Sequence, residues 1–104
     1  MKWLKSTALV VILAAPPALA SDMAILQRNQ AFSQAEVTIQ AGDTLKWGNA
    51  DPFNHNITVK GGAEDVSLGI QKPDQVLSHR FEVAGKYVVV CQIHPRMKMN
   101  VIVQ

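Results

Sequence analysis

Residues 87–99 read Tyr87-Val88-Val89-Val90-Cys91-Gln92-Ile93-His94-Pro95-Arg96-Met97-Lys98-Met99, and most of what this chain discloses is concentrated there. The first five residues are an apolar, β-branched run, which suits a central strand. A thiol, an imidazole and a thioether then follow within the seven residues from Cys91 to Met97. Thiolate and thioether favour Cu(I) and imidazole accepts both copper oxidation states, so the series suits copper. A structural zinc site takes four Cys or His ligands, which a chain with one cysteine fits poorly. The remaining ligand must come from elsewhere in the chain.

On either side of this stretch the pattern is one of strands. No helical period of useful length runs between Ser21 and Gln104. Short alternating or β-branched runs sit between turn signals instead, as in an all-β sandwich or barrel. Strands are expected over Met23–Gln27, Glu36–Gln40, Thr44–Trp47, His55–Lys60, Val76–Val83, Tyr87–Cys91 and Val101–Val103. Along Val76–Val83 the alternation puts His79, Phe81 and Val83 on one face, and Ala84-Gly85-Lys86 reads as a tight hairpin turn into Tyr87. Between Gly61 and Gln75 the strand signal is poor, and Pro73-Asp74 reads as loop. With no repeat, low-complexity tract or linker, residues 21–104 are expected to form one domain, small enough to gain from a bound metal.

Residues 1–20 read as a signal peptide. Lys2 and Lys5 supply the positive start, Ala8–Ala15 the apolar run, and Ala18-Leu19-Ala20 an A-x-A cleavage site. The apolar run is far shorter than the roughly 20 residues a membrane span needs, so no stable membrane insertion is expected. The expected product is a small exported protein of the periplasm, beginning at Ser21. Ten basic and eight acidic residues give the chain a net charge of +2, but residues 21–104 hold eight of each. That neutral domain has no basic cluster and gives no support to a nucleic-acid partner. The single cysteine, Cys91, excludes an internal disulfide framework. In an oxidising compartment it is a liability unless it is buried or bonded.

Two histidines compete for the remaining position. His55 lies at the end of the Asn49–Asn54 loop, just as a strand begins, so its ring can point inward from the rim of a sandwich. His79 lies in mid-strand, and pairing across the expected hairpin would put it far from the Cys91 end. A lone histidine on an apolar strand face is usually packed or hydrogen-bonded structure.

These residues resemble a known family. Gly42-Asp43-Thr44-Leu45-Lys46-Trp47 looks like the G-D-T-V-x-W entry of cupredoxins, the type 1 blue copper proteins. Phe53-Asn54-His55-Asn56-Ile57 resembles their P-H-N-[IV] segment. Phe81 through Tyr87 resembles F-x-x-x-G-x-Y, leading into C-x-x-H-P-x-M at Cys91–Met97. Within the family the chain is most similar to amicyanin and plastocyanin, and the resemblance covers nearly all of residues 23–104. It implies a Greek-key β-sandwich and one type 1 copper, held by His55, Cys91 and His94 with a methionine as weak axial ligand. The amicyanin spacing, Cys-x2-His-x2-Met, selects Met97; the plastocyanin spacing, Cys-x2-His-x4-Met, selects Met99. Met97 precedes Val101-Ile102-Val103 by the interval at which both relatives place their axial methionine, so Met97 is expected and Met99 reads as an apolar filler. Asn56 is the family position that ties the two ligand loops together. Gln92 and Asn54 depart from the usual Ser or Thr and the usual Pro.

The activity implied is one-electron transfer between redox partner proteins by a monomer that is not an enzyme. Docking is expected near His94, over Ile93, Pro95 and Phe53, with Arg96 and Lys98 favouring a partner with acidic groups. A copper carrier or storage protein without redox turnover would use the same ligands. An enzyme with Cys91 as nucleophile and His94 as base lacks any visible oxyanion donor motif. The sequon Asn56-Ile57-Thr58 is discounted, because a glycan beside the copper loop would obstruct docking.

Overall fold

The computed structural model describes residues 19–104; the charged and apolar parts of the expected leader lie outside the described residues. Alternation in the sequence builds two sheets. The strands are β1 (Asp22–Arg28), β2 (Ala31–Phe32), β3 (Glu36–Ile39), β4 (Thr44–Asn49), β5 (His55–Lys60), β6 (Val66–Gln71), β7 (Val76–Arg80), β8 (Gly85–Cys91) and β9 (Lys98–Val103). One sheet has the order β2-β1-β4-β7 and the other β3-β9-β8-β5-β6. The pairs β1·β4 and β3·β9 are parallel, and the remaining neighbours are antiparallel.

Every second residue of the alternating strands faces the interior. Ile25, Leu45 and Trp47 come from the first sheet, and Val37, Ile39, Ile57, Val59, Val89, Met99, Val101 and Val103 from the second. Burying one such side chain stabilises by roughly 1.5–3 kcal/mol. The pairs Lys46–Asp22 and Arg80–Glu82 are exposed, and such pairs contribute about 0–1 kcal/mol each. The apolar layer therefore holds the sheets together.

Three expectations need correction. The Ala84-Gly85-Lys86 turn does not close a hairpin: β7 pairs with β4 in one sheet, while β8 pairs with β5 and β9 in the other. The chain leaves the first sheet after Arg80 and crosses between the layers. Phe81 is buried while Val83 is 69% exposed, so the shared face expected for them does not exist. The crossing is pinned where the Phe81 N–H bonds the Asp43 carbonyl (2.9 Å) and the Tyr87 hydroxyl bonds the Val83 carbonyl (2.7 Å).

A strand, β6, also occupies part of the region read as weak. Its alternation is erased by a bulge opposite Ile57 and Thr58, where Gly69 takes φ +84°, and Ile70 is left exposed. The short strand β2, for which no strand was expected, follows a tight turn at Asn29-Gln30, both in the left-handed region (φ 54° and 56°). That conformation matches the turn that joins twisted antiparallel strands, but Gln30 lacks the glycine usual there.

The strand ends place the site. The β5·β8 ladder pairs Ile57 with Cys91, so His55 lies just past the end of β8. The β8–β9 loop, residues 92–97, closes over the same edge.

Candidate metal centre

Two of the functional side chains sit where a strand starts or stops. Cys91 is the last residue of β8 and is fully buried, and His55 opens β5 and is fully buried. His94 lies in the loop beyond Cys91 and is partly exposed. One ligating atom from each of the three lies within 4.8 Å of the others. The Cys91 Sγ is 3.7 Å from the His55 Nδ1 and 3.8 Å from the His94 Nδ1, so both rings aim the same nitrogen at the sulfur. His79 is not part of this group. It sits opposite Leu45 on β7, toward the other end of the sandwich, half-buried and edge-on to Phe81 at 4.8 Å. Burial lowers its imidazole pKa.

Main-chain hydrogen bonds fold the β8–β9 loop around the site. The His94 N–H bonds the Cys91 carbonyl (3.2 Å), the Met97 N–H bonds the His94 carbonyl (2.9 Å), and the Cys91 N–H bonds the Met97 carbonyl (3.1 Å). The last of these extends the β8·β9 register, in which Val90 pairs with Lys98 and Val89 with Met99. Met97 therefore stands across from Cys91, and Met99 one pair deeper, across from Val89. Both thioethers are buried, but only Met99 belongs to the apolar core between the sheets.

The link expected at Asn56 between the two ligand loops is present, and it is made by the main chain. The Asn56 main-chain N–H points at the Cys91 Sγ (3.3 Å), while the Asn56 side chain accepts from the Thr58 hydroxyl (3.4 Å) on its own strand. Gln92 and Asn54 are both exposed.

One participant escaped the sequence reading. Asp51, in the β4–β5 loop, is buried, and its carboxylate lies 2.7 Å from the His55 Nε2. It also accepts main-chain N–H bonds from Asn29 (2.6 Å) and Gln30 (3.1 Å). Desolvation pushes this carboxyl up, but the bonds from His55, Gln30 and Asn29 together hold it below the usual carboxylate range. The only cue in the sequence was an acidic residue four positions before His55, in a loop already singled out.

The β4–β5 loop is itself held from within. The Asn49 side chain donates to the Phe53 carbonyl (2.9 Å) and accepts from the Asp51 N–H (2.9 Å). Phe53 then contacts both imidazoles, with ring centroids 5.4 Å from His55 and 5.4 Å from His94, and the two imidazoles are 5.3 Å apart. Phe53 and Ile93 are 37% and 47% exposed, so an apolar surface lies directly over the partly exposed His94.

A thiolate and two imidazole nitrogens, with thioether sulfur buried alongside, form a donor set that fits one type 1 copper. A family model of copper-binding proteins, the plastocyanin/azurin family, matches residues 20–104. The chain belongs to that family. Among its relatives, amicyanin-alpha of Methylorubrum extorquens is 34% identical over 76 residues, covering 70% of this chain and 64% of that protein. Amicyanin of Paracoccus versutus is 40% identical over 72 residues, covering 66% of this chain and 54% of that one. The chain thus spans less than two thirds of these two amicyanins. Plastocyanin of Scenedesmus fuscus is 35% identical over 72 residues, covering 61% of this chain and 74% of that one. The solved structure of a reduced amicyanin mutant superposes with a TM-score of 0.73 at 26% identity, covering 80% of this chain and 82% of that one. The two-sheet sandwich is therefore the cupredoxin fold.

Proposed function

We propose that this cupredoxin is an exported one-electron carrier, monomeric and not an enzyme, with His55, Cys91, His94 and Met97 as its copper ligands. The observation that carries the reading is the convergence of Cys91 Sγ with two Nδ1 atoms beneath an exposed apolar patch. Copper bound there would supply one-electron exchange between Cu(II) and Cu(I). The protein's part is to keep the donors still. Cys91 and His55 are buried on strand ends, the Asn56 amide holds the sulfur, and three main-chain bonds brace the loop bearing His94. Donors fixed in this way leave little to rearrange when charge changes. Met97 is favoured over Met99 because the register sets it beside Cys91.

A buried Cys91 is poorly placed as a nucleophile, which counts against the enzymatic alternative. His94 is the ligand ring nearest solvent, and Phe53, Ile93 and Pro95 surround it as the surface on which a redox partner would dock. Arg96 and Lys98, both exposed, favour acidic groups on that partner. Export would follow from cleavage after Ala20, leaving Ser21 first and the protein in the periplasm.

Loading the purified protein with copper tests this reading. Intense absorption toward the red, a narrow copper hyperfine splitting and a reversible one-electron wave are expected. A colourless holo-protein would end the proposal, and a blue protein without a reversible wave would favour copper carriage or storage. Electron exchange with the partner should slow with added salt and with Arg96→Glu, and rates indifferent to both would remove the acidic-partner reading.

A further inference from the structure

Asp51 is a buried carboxylate that joins two parts of the molecule. One is the β1–β2 turn, which belongs to the first sheet; the other is His55, which opens a strand of the second. The Asn29 and Gln30 N–H groups are turned toward Asp51 by a backbone that is left-handed at both residues. Gln30 also lines a hollow with Ile93, His94, Pro95, Arg96 and Met97, so the turn reaches the ligand loop as well. Each Asp51 oxygen accepts one turn N–H, and one of them also faces the His55 Nε2.

An ionised carboxylate can only accept hydrogen bonds. The His55 Nε2 must therefore carry a proton, so the neutral ring keeps its lone pair on Nδ1, the atom aimed at Cys91 Sγ. We propose that Asp51 is the positioning residue of the metal centre, fixing the tautomer and ring plane of His55 by anchoring it to the Asn29-Gln30 turn. The β1–β2 turn then serves as an outer wall of the centre. The carboxylate also places negative charge one imidazole away from the ligating nitrogen. That charge favours the more oxidised state of a bound metal ion, so removing it moves the reduction potential upward.

This inference rests on the copper reading of the same residues, and its first test needs no metal. Above about pH 8, where an ordinary imidazole is neutral, nitrogen-15 NMR of the metal-free protein is expected to show His55 protonated at Nε2. A His55 ring protonated at Nδ1 would overturn the proposal even if every variant failed to fold. In the copper-loaded protein, Asp51→Asn is expected to raise the reduction potential and to broaden the range of site geometries seen by electron paramagnetic resonance. Asp51→Glu, which keeps the carboxylate, should move the potential less. An Asp51→Asn protein with wild-type potential and spectrum would reduce Asp51 to an anchor for the turn. If the wild-type protein takes up no type 1 copper while His55 is still locked in the Nε2–H form, the function fails and the positioning role stands.

Discussion

Two aspartates bracket β4, Asp43 before it and Asp51 after it, and the chain treats them alike until the last bond. Both are buried and both hold separate pieces of chain through main-chain N–H groups. Asp43 receives the N–H of Ser21 (2.9 Å) and of Gln40 (2.9 Å), gathering the start of β1 and the end of β3. Asp51 receives Asn29 and Gln30, gathering the β1–β2 turn. The difference is the third donor, since Asp51 alone also holds an imidazole. A device that merely closes the sandwich at one end orients a metal ligand at the other. Fixing a loop and fixing a ligand are the same physical task, because each requires a buried carboxylate to have its acceptor capacity filled.

If the two ends are divided in this way, damage at one should spare the other. The largest effect should come from Cys91→Ser, which removes the only thiolate and should abolish the intense absorption of the copper-loaded protein. Far-ultraviolet circular dichroism should still report the sheet, since the side chain changes little in size. At the opposite end, Phe81 is fully buried, with its ring 4.8 Å from His79 and 5.2 Å from Tyr87. Phe81→Ala should cost about 3–5 kcal/mol in denaturant unfolding while leaving the copper spectrum of the folded protein unchanged. A spectrum that shifted with Phe81→Ala would show that the two ends are coupled.

The two buried methionines test how sharply the division runs, because only one residue separates them. Met99 packs in the core across from Val89, so Met99→Ala should cost about 2–5 kcal/mol and leave the colour and potential of the site nearly intact. Met97 lies across from Cys91, so Met97→Ala should alter both colour and potential. Reversal of these outcomes would make Met99 the axial ligand.

The same division explains what could be read before the structure. The strands β3, β4 and β5 announce themselves by alternation and β8 and β9 by continuous apolar runs, and Cys91, His94 and Met97 are close in sequence because they lie in or beside one loop. His55 was legible because it sits where a turn meets an alternating run. Asp51 was not, because two of its three donors, Asn29 and Gln30, lie 22 and 21 residues away and donate from the main chain, which leaves no mark on side-chain identity. The crossing after Arg80 was misread for a related reason. Ala84-Gly85-Lys86 specifies a change of direction but not the sheet that receives the next strand, and that is settled by where Phe81 finds burial.

The smallest expected effect lies at Asp43, and its sign can be worked out. The N–H groups of Ser21 and then Gln40 hold the Asp43 carboxyl below its ordinary value, against some desolvation. A carboxyl lowered in the folded state contributes stability above its unfolded value near 3.8, and that contribution is lost as pH falls through the lower folded value. Asp43→Asn should therefore flatten the acid limb of unfolding followed by circular dichroism. An acid limb that Asp43→Asn leaves unchanged would mean that the Ser21 and Gln40 N–H groups hold the folded carboxylate no better than water does.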